Sequence, residues 1–111
     1  MIYKVFWTNS AENDLREIID YMIVNDEVIN AYRIFTKIKN RVNLLKTSPE
    51  QGRHLPEFEI FKIRKYREII VKPWRIIYKI EKQEVIVLLV IDGRRNLEDI
   101  LFDRLIKKSD T

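Results

Sequence analysis

Seven basic side chains in the second half of the chain have the clearest potential for chemistry. They surround three predicted strands: Lys62, Arg64, Lys65, Arg67, Arg75, Arg94 and Arg95. Arginine suits the binding of phosphate or carboxylate groups because its planar guanidinium donates two parallel hydrogen bonds. We therefore predict that these cations collect along one rim of a sheet and bind a negatively charged partner. The alternative is that they only form a solvated surface.

A group that moves protons is harder to find. His54 is the only histidine, and it is a candidate acid or base because imidazole titrates near neutral pH. Tyr66 and Tyr78 could stack on a nucleic-acid base, although an aromatic residue in a strand more often packs in the core. The chain has no Gly-rich phosphate loop, no Gly-x-Ser-x-Gly and no His-Glu-x-x-His.

The composition excludes several classes of protein. The 111 residues, 46% hydrophobic and 34% charged, are typical of one compact soluble domain, which we expect to span residues 1–111. The absence of cysteine and the single histidine exclude thiolate and His-rich metal sites, and we expect no metal and no cofactor. No apolar run approaches the roughly 20 residues that a membrane span requires. The absence of cysteine fits a reducing cytoplasm, where we expect the protein to act.

The net charge of +4 is distributed unevenly along the chain. Residues 1–52 carry seven basic and seven acidic side chains, whereas residues 53–95 carry eleven basic against six acidic, a net charge of +5. The excess lies on the predicted sheet, which favours a nucleic acid or an acidic protein as the partner.

Residues 66–95 predict the sheet that organises the fold. Three runs rich in Ile, Val and Tyr are separated by breaks of hairpin length at Lys72-Pro73 and at residues 81–84. This pattern predicts a meander of three antiparallel strands. The run from Val85 to Ile91 is almost continuously apolar, which indicates an interior strand that is covered on both faces.

The remaining segments predict a strand and three helices. Residues 1–7 alternate as a strand, and Asn9 with Glu12 resembles a capping box for the helix that follows. That helix has one apolar stripe: Ala11, Leu15, Ile18, Ile19 and Met22. Asn25-Asp26 ends this helix and can cap the next one. A second stripe then predicts the other helix of a hairpin: Val28, Ala31, Phe35, Ile38, Val42 and Leu45. Phe58, Ile60 and Ile63 predict an extended arm or the start of the next strand.

A last stripe predicts a C-terminal helix, with Asp92 or Asn96 as its cap: Leu97, Ile100, Leu101, Leu105 and Ile106. Lys107 and Lys108 lie near its C-terminus, where cations suit the helix dipole. The order of strand, helical hairpin, strands and helix predicts an α+β fold with a small, mostly antiparallel sheet.

Several motifs, taken in order, make the chain similar to the RelE/ParE superfamily of toxins from toxin–antitoxin modules. They are Gly52-Arg53-His54-Leu55-Pro56-Glu57, Tyr66-Arg67-Glu68, Pro73-Trp74-Arg75-Ile76-Ile77-Tyr78 and Asp92-Gly93-Arg94-Arg95-Asn96-Leu97. The pieces around Arg67-Glu68, Trp74-Arg75 and Arg94-Arg95 resemble ParE more than RelE. The resemblance implies the α+β fold of that superfamily.

The resemblance implies two alternative functions. ParE-like members bind DNA gyrase and trap it on cleaved DNA, whereas RelE-like members cut mRNA in the ribosomal A site, usually with a Tyr or a His-Tyr pair near the C-terminus. This chain has no Tyr or His after Arg95, so we predict a ParE-like gyrase inhibitor. If the chain were instead an RNA-cleaving enzyme, its candidate catalytic residues would be Arg67, Arg75, Arg94, Arg95 and His54.

The resemblance also implies a cognate antitoxin as a partner, and hence a hetero-oligomer. We expect its binding segment to be acidic, disordered when free, and folded as a helix or an added strand over the basic groove. A third reading is a relative that has lost its toxicity and only binds this partner.

Overall fold

A computed structural model describes residues 2–107 of the chain. It contains five strands, β1 to β5: Lys4–Trp7, Arg53–His54, Tyr66–Val71, Trp74–Glu81 and Glu84–Asp92. Its helices are α1 at Asn9–Val24, α2 at Val28–Asn43 and α3 at Glu98–Leu101, the last continued by a π-helical segment at Phe102–Lys107. Short 3₁₀ turns cover Leu44–Lys46, Pro49–Gln51 and Pro56–Phe61. The predicted α+β class is confirmed.

The strands form one sheet in the order β1-β5-β4-β3-β2. The predicted antiparallel meander is β3, β4 and β5, while β1 adds to the free side of β5 in parallel. β5 is thus an interior strand, and its residues alternate between two cores on opposite faces of the sheet. A β-bulge near Ile77 and Tyr78 shifts the register between β4 and β5.

The two faces of the sheet are covered by different elements. The helical hairpin of α1 and α2 covers one face through Ala11, Leu15, Ile38 and Val42, and we call this the hairpin face. The opposite face, which we call the far face, is covered by the segment 55–58 and by the C-terminal helical segment. Phe58 therefore lies in a 3₁₀ turn, not in an extended arm, because burying it against the far face requires the chain to fold over the sheet.

The ends of the hairpin helices differ in detail from the sequence prediction. Thr8, not Asn9, is the N-cap of α1, because its Oγ1 accepts the backbone N–H of Ala11 at 3.1 Å. The chain turns at Asp26, which has a positive φ of 62°. α2 then begins after Glu27 without a side-chain cap, so Asn25 and Asp26 do not cap it.

The C-terminal helical segment packs on the far face through Leu97, Leu101 and Leu105, whereas Ile106 is exposed. Tyr66 fixes this segment to the sheet by donating a hydrogen bond from its hydroxyl to the Leu105 carbonyl at 2.9 Å. Lys108 of the predicted helix end lies outside the described residues. Within residues 2–107, no helix combines the length and the apolar character needed to span a bilayer.

Candidate functional site

Arg75 lies inside the protein, on the far face of the sheet. Its two Nη atoms donate to the carboxylate of Glu57 at 2.6 and 2.8 Å. Its Nε donates to one oxygen of Glu68, and the other oxygen of Glu68 accepts a hydrogen bond from Arg53 Nε at 2.6 Å. Because Arg75 and Glu68 are both buried, this finding corrects the expectation of a free Arg75 guanidinium at a rim.

The network shifts the pKa values of Glu57 and Arg75 in the direction that favours their charged forms. Hydrogen bonds from Arg75 hold the pKa of Glu57 below its usual value, with burial acting in the opposite direction. Burial lowers the pKa of Arg75, but the hydrogen bonds and charges of Glu57 and Glu68 more than offset this effect, and the net shift is upward. A buried carboxylate such as Glu68 is tolerated only when cations and hydrogen bonds surround it.

The motif from Gly52 to Glu57 has a structural explanation in this network. Arg53 and Glu57 supply two of its charges, one from β2 and one from the 3₁₀ turn. Gly52 passes so close to the sheet that a Cβ atom there would lie 2.6 Å from both the Glu68 carbonyl and the Tyr78 hydroxyl. Only glycine therefore fits without a shift of the neighbouring backbone.

Tyr78 belongs to the core, as its place in a strand predicts. The side chain is fully buried on the hairpin face. Its hydroxyl donates to the Pro49 carbonyl at 2.6 Å and accepts from the Gly52 N–H at 2.9 Å. Burial raises the pKa of Tyr78, so this phenol is a neutral anchor for the loop at residues 49–52.

Arg67 and His54 are cross-strand neighbours in β3 and β2. Arg67 pairs with Tyr78 in β4 and therefore lies on the hairpin face, opposite to Arg75. Its Nη1 donates to the carbonyls of Gly52 and Glu50 at 2.8 and 3.2 Å. The Nδ1 atom of half-buried His54 is buried and has no hydrogen-bond partner in the described part of the chain.

Arg94 and Arg95 lie in the exposed turn that follows β5. Arg94 donates from Nε and Nη2 to the two carboxylate oxygens of Asp92 at 3.0 and 2.8 Å. These bonds lower the pKa of Asp92 and raise that of Arg94. Even so, 73% of the Arg94 side chain remains exposed, so it can still meet a partner.

Lys62, Arg64 and Lys65 are exposed in the loop that leads into β3. Arg64 is 3.8 Å from the carboxylate of Glu59, and the Lys65 ammonium is 5.4 Å from the centre of the Tyr66 ring. Lys62 has a positive φ of 55° and ends the preceding 3₁₀ turn. These three residues form a local basic patch.

The seven predicted cations do not share one rim, which corrects the sequence expectation. β3 and β5 both run antiparallel to β4, so the start of β3 and the end of β5 lie at opposite ends of the sheet. The patch at Lys62, Arg64 and Lys65 is therefore separated from Arg94 and Arg95 by the length of the strands, roughly 20 Å. The sheet also separates Arg67 from Arg75, because they lie on opposite faces.

Sequence reasoning missed the role of Glu57 and Glu68. The sequence does contain a feature that indicates an ion pair. Glu68 interrupts the apolar strand from Tyr66 to Val71, and it is separated from Arg75 by one short hairpin. A carboxylate at a buried strand position requires a cation within reach. Within residues 2–107 no group of three or more His, Asp or Glu side chains is arranged to hold a metal ion.

Comparisons with solved structures define the class of fold. A chain of the chromosomal ParDE toxin–antitoxin system from P. aeruginosa matches with a TM-score of 0.67 and 20% identity, covering 82% of this chain and 96% of that one. A chain of the RelBE2 toxin–antitoxin complex from Mycobacterium tuberculosis matches with a TM-score of 0.56 and 17% identity, covering 83% and 92%. The fold is thus that of the RelE/ParE toxins.

Comparison with protein families then gives the particular family. A model described as the ParE toxin of the type II toxin–antitoxin system parDE matches residues 5–97, so this chain belongs to the ParE toxin family. Toxin ParE3 of Caulobacter vibrioides is 27% identical over 94 residues, which are 85% of this chain and 90% of that protein. The resemblance to ParE drawn from the motifs is confirmed.

Proposed function

We propose that this ParE-family toxin arrests growth by binding DNA gyrase and is neutralised by a cognate antitoxin. The observation that carries the proposal is the engagement of its arginines by the protein's own groups. Arg75 is held by two carboxylates, Arg67 by two carbonyls and Arg94 by Asp92. This arrangement favours a toxin that acts by binding over one that cleaves a phosphodiester.

Cleavage of RNA would require several cations around one phosphate and a group that moves protons. The candidate residues for that reaction are dispersed in this fold. His54 is next to Arg67 on β2 and β3, Arg75 is buried on the opposite face, and Arg94 and Arg95 follow β5 at the other end of the sheet. The ribosome-dependent nuclease therefore remains the less supported alternative.

We assign gyrase binding to the surface formed by the turn at Arg94 and Arg95 and the C-terminal helical segment. Both side chains are exposed at this turn, where they can meet an acidic surface or a DNA phosphate. The patch at Lys62, Arg64 and Lys65 is a second candidate surface for an acidic partner. Because gyrase acts on chromosomal DNA, the proposal also implies that the toxin works in the cytoplasm.

Controlled expression in cells tests the proposal against its alternatives. Binding to gyrase predicts that DNA replication stops and DNA-damage signalling begins while protein synthesis initially continues. Prompt loss of protein synthesis, with mRNA 5′ ends spaced by codons, would instead identify the nuclease. Growth without arrest would indicate a relative that only binds its partner.

A pair of double variants tests the assigned surface. Arg94→Ala with Arg95→Ala should reduce toxicity while leaving the fold intact, because both side chains are exposed. The matched control is Lys4→Ala with Lys82→Ala, which removes two exposed cations at the opposite end of the sheet. Equal toxicity of the two variants would show that the turn is not the gyrase surface.

A further inference from the structure

Four large apolar side chains are exposed where the segment 56–61 meets the C-terminal helical segment. Ile60 and Phe61 are 83% and 56% exposed, and Phe102 and Ile106 are 38% and 42% exposed. The rings of Phe61 and Phe102 are in contact, with their centroids 5.5 Å apart. Large apolar side chains that are exposed next to one another are typical of a surface that a partner covers.

The two exposed phenylalanines are the outer part of a row of rings that begins in the core. Phe58 is buried and contacts Tyr66 edge to face, with the ring centroids 5.9 Å apart. Phe102 packs on Phe58 at an interplanar angle of 79°, and Phe61 packs on Phe102 at 80°. We call Phe58, Phe102 and Phe61 the phenylalanine row. Because each ring is held by the one beneath it, the ring of Phe61 has a defined position despite its exposure.

The basic patch at Lys62, Arg64 and Lys65 directly follows the outermost ring of this row in the chain. The carboxylate of Glu59 is 3.8 Å from Arg64 and offsets part of the positive charge. Lys62 and Lys65 form no ion pair in the part of the chain that the structure describes. The C-terminal helical segment carries three acidic and two basic side chains. The positive charge beside the phenylalanine row therefore comes from the basic patch.

Exposed rings beside cations match the chemistry of a single strand of nucleic acid. Unpaired bases stack on aromatic side chains, and lysine and arginine bind the phosphates that link them. A duplex keeps the faces of its bases within its own stack, so it can use the cations but not the rings. An acidic protein can use the cations and the apolar surface, but it does not require that the apolar side chains be aromatic.

We propose that the phenylalanine row and the basic patch form a binding site for single-stranded DNA. The rings of Phe61 and Phe102 stack on about two successive bases, and the three cations of the basic patch bind the adjoining phosphates. This inference rests on the proposed function for the choice of DNA over RNA, because the gyrase complex that the toxin is proposed to trap contains cleaved DNA.

The position of this site is compatible with simultaneous binding of gyrase at the turn. The basic patch precedes β3, whereas the turn at Arg94 and Arg95 follows β5, at the opposite end of the sheet. The length of the strands, roughly 20 Å, separates the two sets of cations. The toxin can therefore hold an unpaired strand while the turn contacts gyrase.

Fluorescence anisotropy of a labelled oligonucleotide of about 12 thymidines measures binding by the full toxin. Phe61→Ala should weaken binding roughly tenfold, because one base loses its stacking partner. Phe61→Leu should weaken it about as much, since leucine is apolar but has no aromatic face. Phe61→Tyr should bind as the wild type does, because it keeps the ring. Leucine also retains apolar contact with Phe102, so this variant serves as the test where alanine lowers the stability.

The salt dependence of binding tests the cations. Arg64→Gln with Lys65→Gln should reduce the slope of log affinity against log salt by about 1.4, since each phosphate contact on a single strand contributes about 0.7. Glu59→Gln should strengthen binding, because it removes the carboxylate beside Arg64. The matched control is Arg33→Gln with Lys37→Gln, which removes two exposed cations of α2 on the other side of the sheet. This control should leave both the affinity and the slope unchanged.

Three results would overturn the inference. The first is equal affinity of the wild type and both Phe61→Ala and Phe61→Leu. The second is equal affinity for the single strand and for a duplex of the same length, which would show that the rings do not take part. The third is tighter binding to an oligonucleotide of uridines or to vesicles of anionic phospholipid than to the DNA strand, which would assign the site to RNA or to a membrane surface.

Trapping of gyrase on cleaved DNA, measured with the same wild-type protein, separates this inference from the proposed function. A toxin that traps gyrase but does not bind the oligonucleotide would refute the single-strand site alone. A toxin that binds the oligonucleotide without trapping gyrase would refute the proposed function and leave the site in place.

Discussion

Arg75 and Arg94 are both paired with carboxylates, yet their surroundings differ. Arg75 is buried between Glu57 and Glu68, whereas Arg94 extends from an exposed turn with Asp92 as its neighbour. A pair in solvent contributes little to stability because water screens it. A buried pair is different, because removal of one member leaves the other charged, unpaired and out of reach of water.

Substitution of Arg75 should therefore destabilise the fold strongly. We expect Arg75→Leu to lower the free energy of unfolding by about 3–5 kcal/mol, because Glu68 then lacks its main partner in the interior. Arg64→Leu, which removes an exposed arginine 3.8 Å from Glu59, should change it by less than about 1 kcal/mol. Urea denaturation measures both; equal midpoints for the two variants would show that the network does not stabilise the fold.

Glu57 should contribute to the acid sensitivity of the protein. Its pKa in the folded state is held below the usual value by Arg75, so its stabilising effect is complete above about pH 4.3, where the unfolded chain ionises. As the pH falls further, towards the lower pKa of the folded state, the unfolded chain binds the proton first and stability is lost.

Unfolding measured in urea from pH 7 to pH 3 tests this assignment. Glu57→Gln should show a smaller loss of stability below about pH 4.3 than the wild type. Some loss should remain, because hydrogen bonds from Arg94 also lower the pKa of Asp92. Identical pH dependence in the variant and the wild type would mean that Glu57 is not coupled to folding.

At the scale of the elements, the start of α1 shows what determines which residue becomes the N-cap of a helix. Three good capping residues, Thr8, Asn9 and Ser10, are adjacent in the sequence. In the structure Thr8 is the N-cap. Its Oγ1 accepts the N–H of Ala11, and its own N–H donates to the Val87 carbonyl of β5. Pairing of β1 with the sheet thus decides the cap, and local preference does not.

Thr8→Ala should cost about 1 kcal/mol of the free energy of unfolding, since the N–H of Ala11 loses its acceptor. Asn9→Ala should change it by less than about 0.5 kcal/mol, as expected for an exposed residue within the helix. Thermal unfolding of the two variants measures the difference. A larger effect of Asn9→Ala would place the helix start one residue later than the structure does.

The elements that the sequence predicts correctly are those with a strong hydrophobic period. The runs at β3, β4 and β5 and the stripes of α1 and α2 follow from burial of one face against a neighbour. The segment 56–61 could not be predicted in this way, because Phe58 is placed by tertiary contacts of its ring with Tyr66 in β3 and with Phe102, which is distant in the sequence. The expected rim of seven cations is wrong, because the strand directions place the start of β3 and the end of β5 at opposite ends of the sheet.

At the scale of the whole molecule, the residues of the family motifs are distinct from the exposed cations that a partner can contact. The motifs at Gly52–Glu57, Glu68 and Arg75 converge on one buried network that holds the 3₁₀ turn on the sheet. The charged groups of these motifs are hydrogen-bonded to one another in the network. Positive charge that is open to a partner lies elsewhere, in the patch at Lys62, Arg64 and Lys65 and at the turn with Arg94 and Arg95.

The most direct test of the central claim is a DNA-cleavage assay with purified gyrase, supercoiled plasmid and the purified toxin. We predict that linear DNA accumulates as toxin is added, because gyrase is trapped on cleaved DNA, and that Arg94→Ala with Arg95→Ala requires several-fold more toxin. Unchanged gyrase products at toxin concentrations that arrest growth, together with codon-spaced mRNA cuts in cells, would contradict the account.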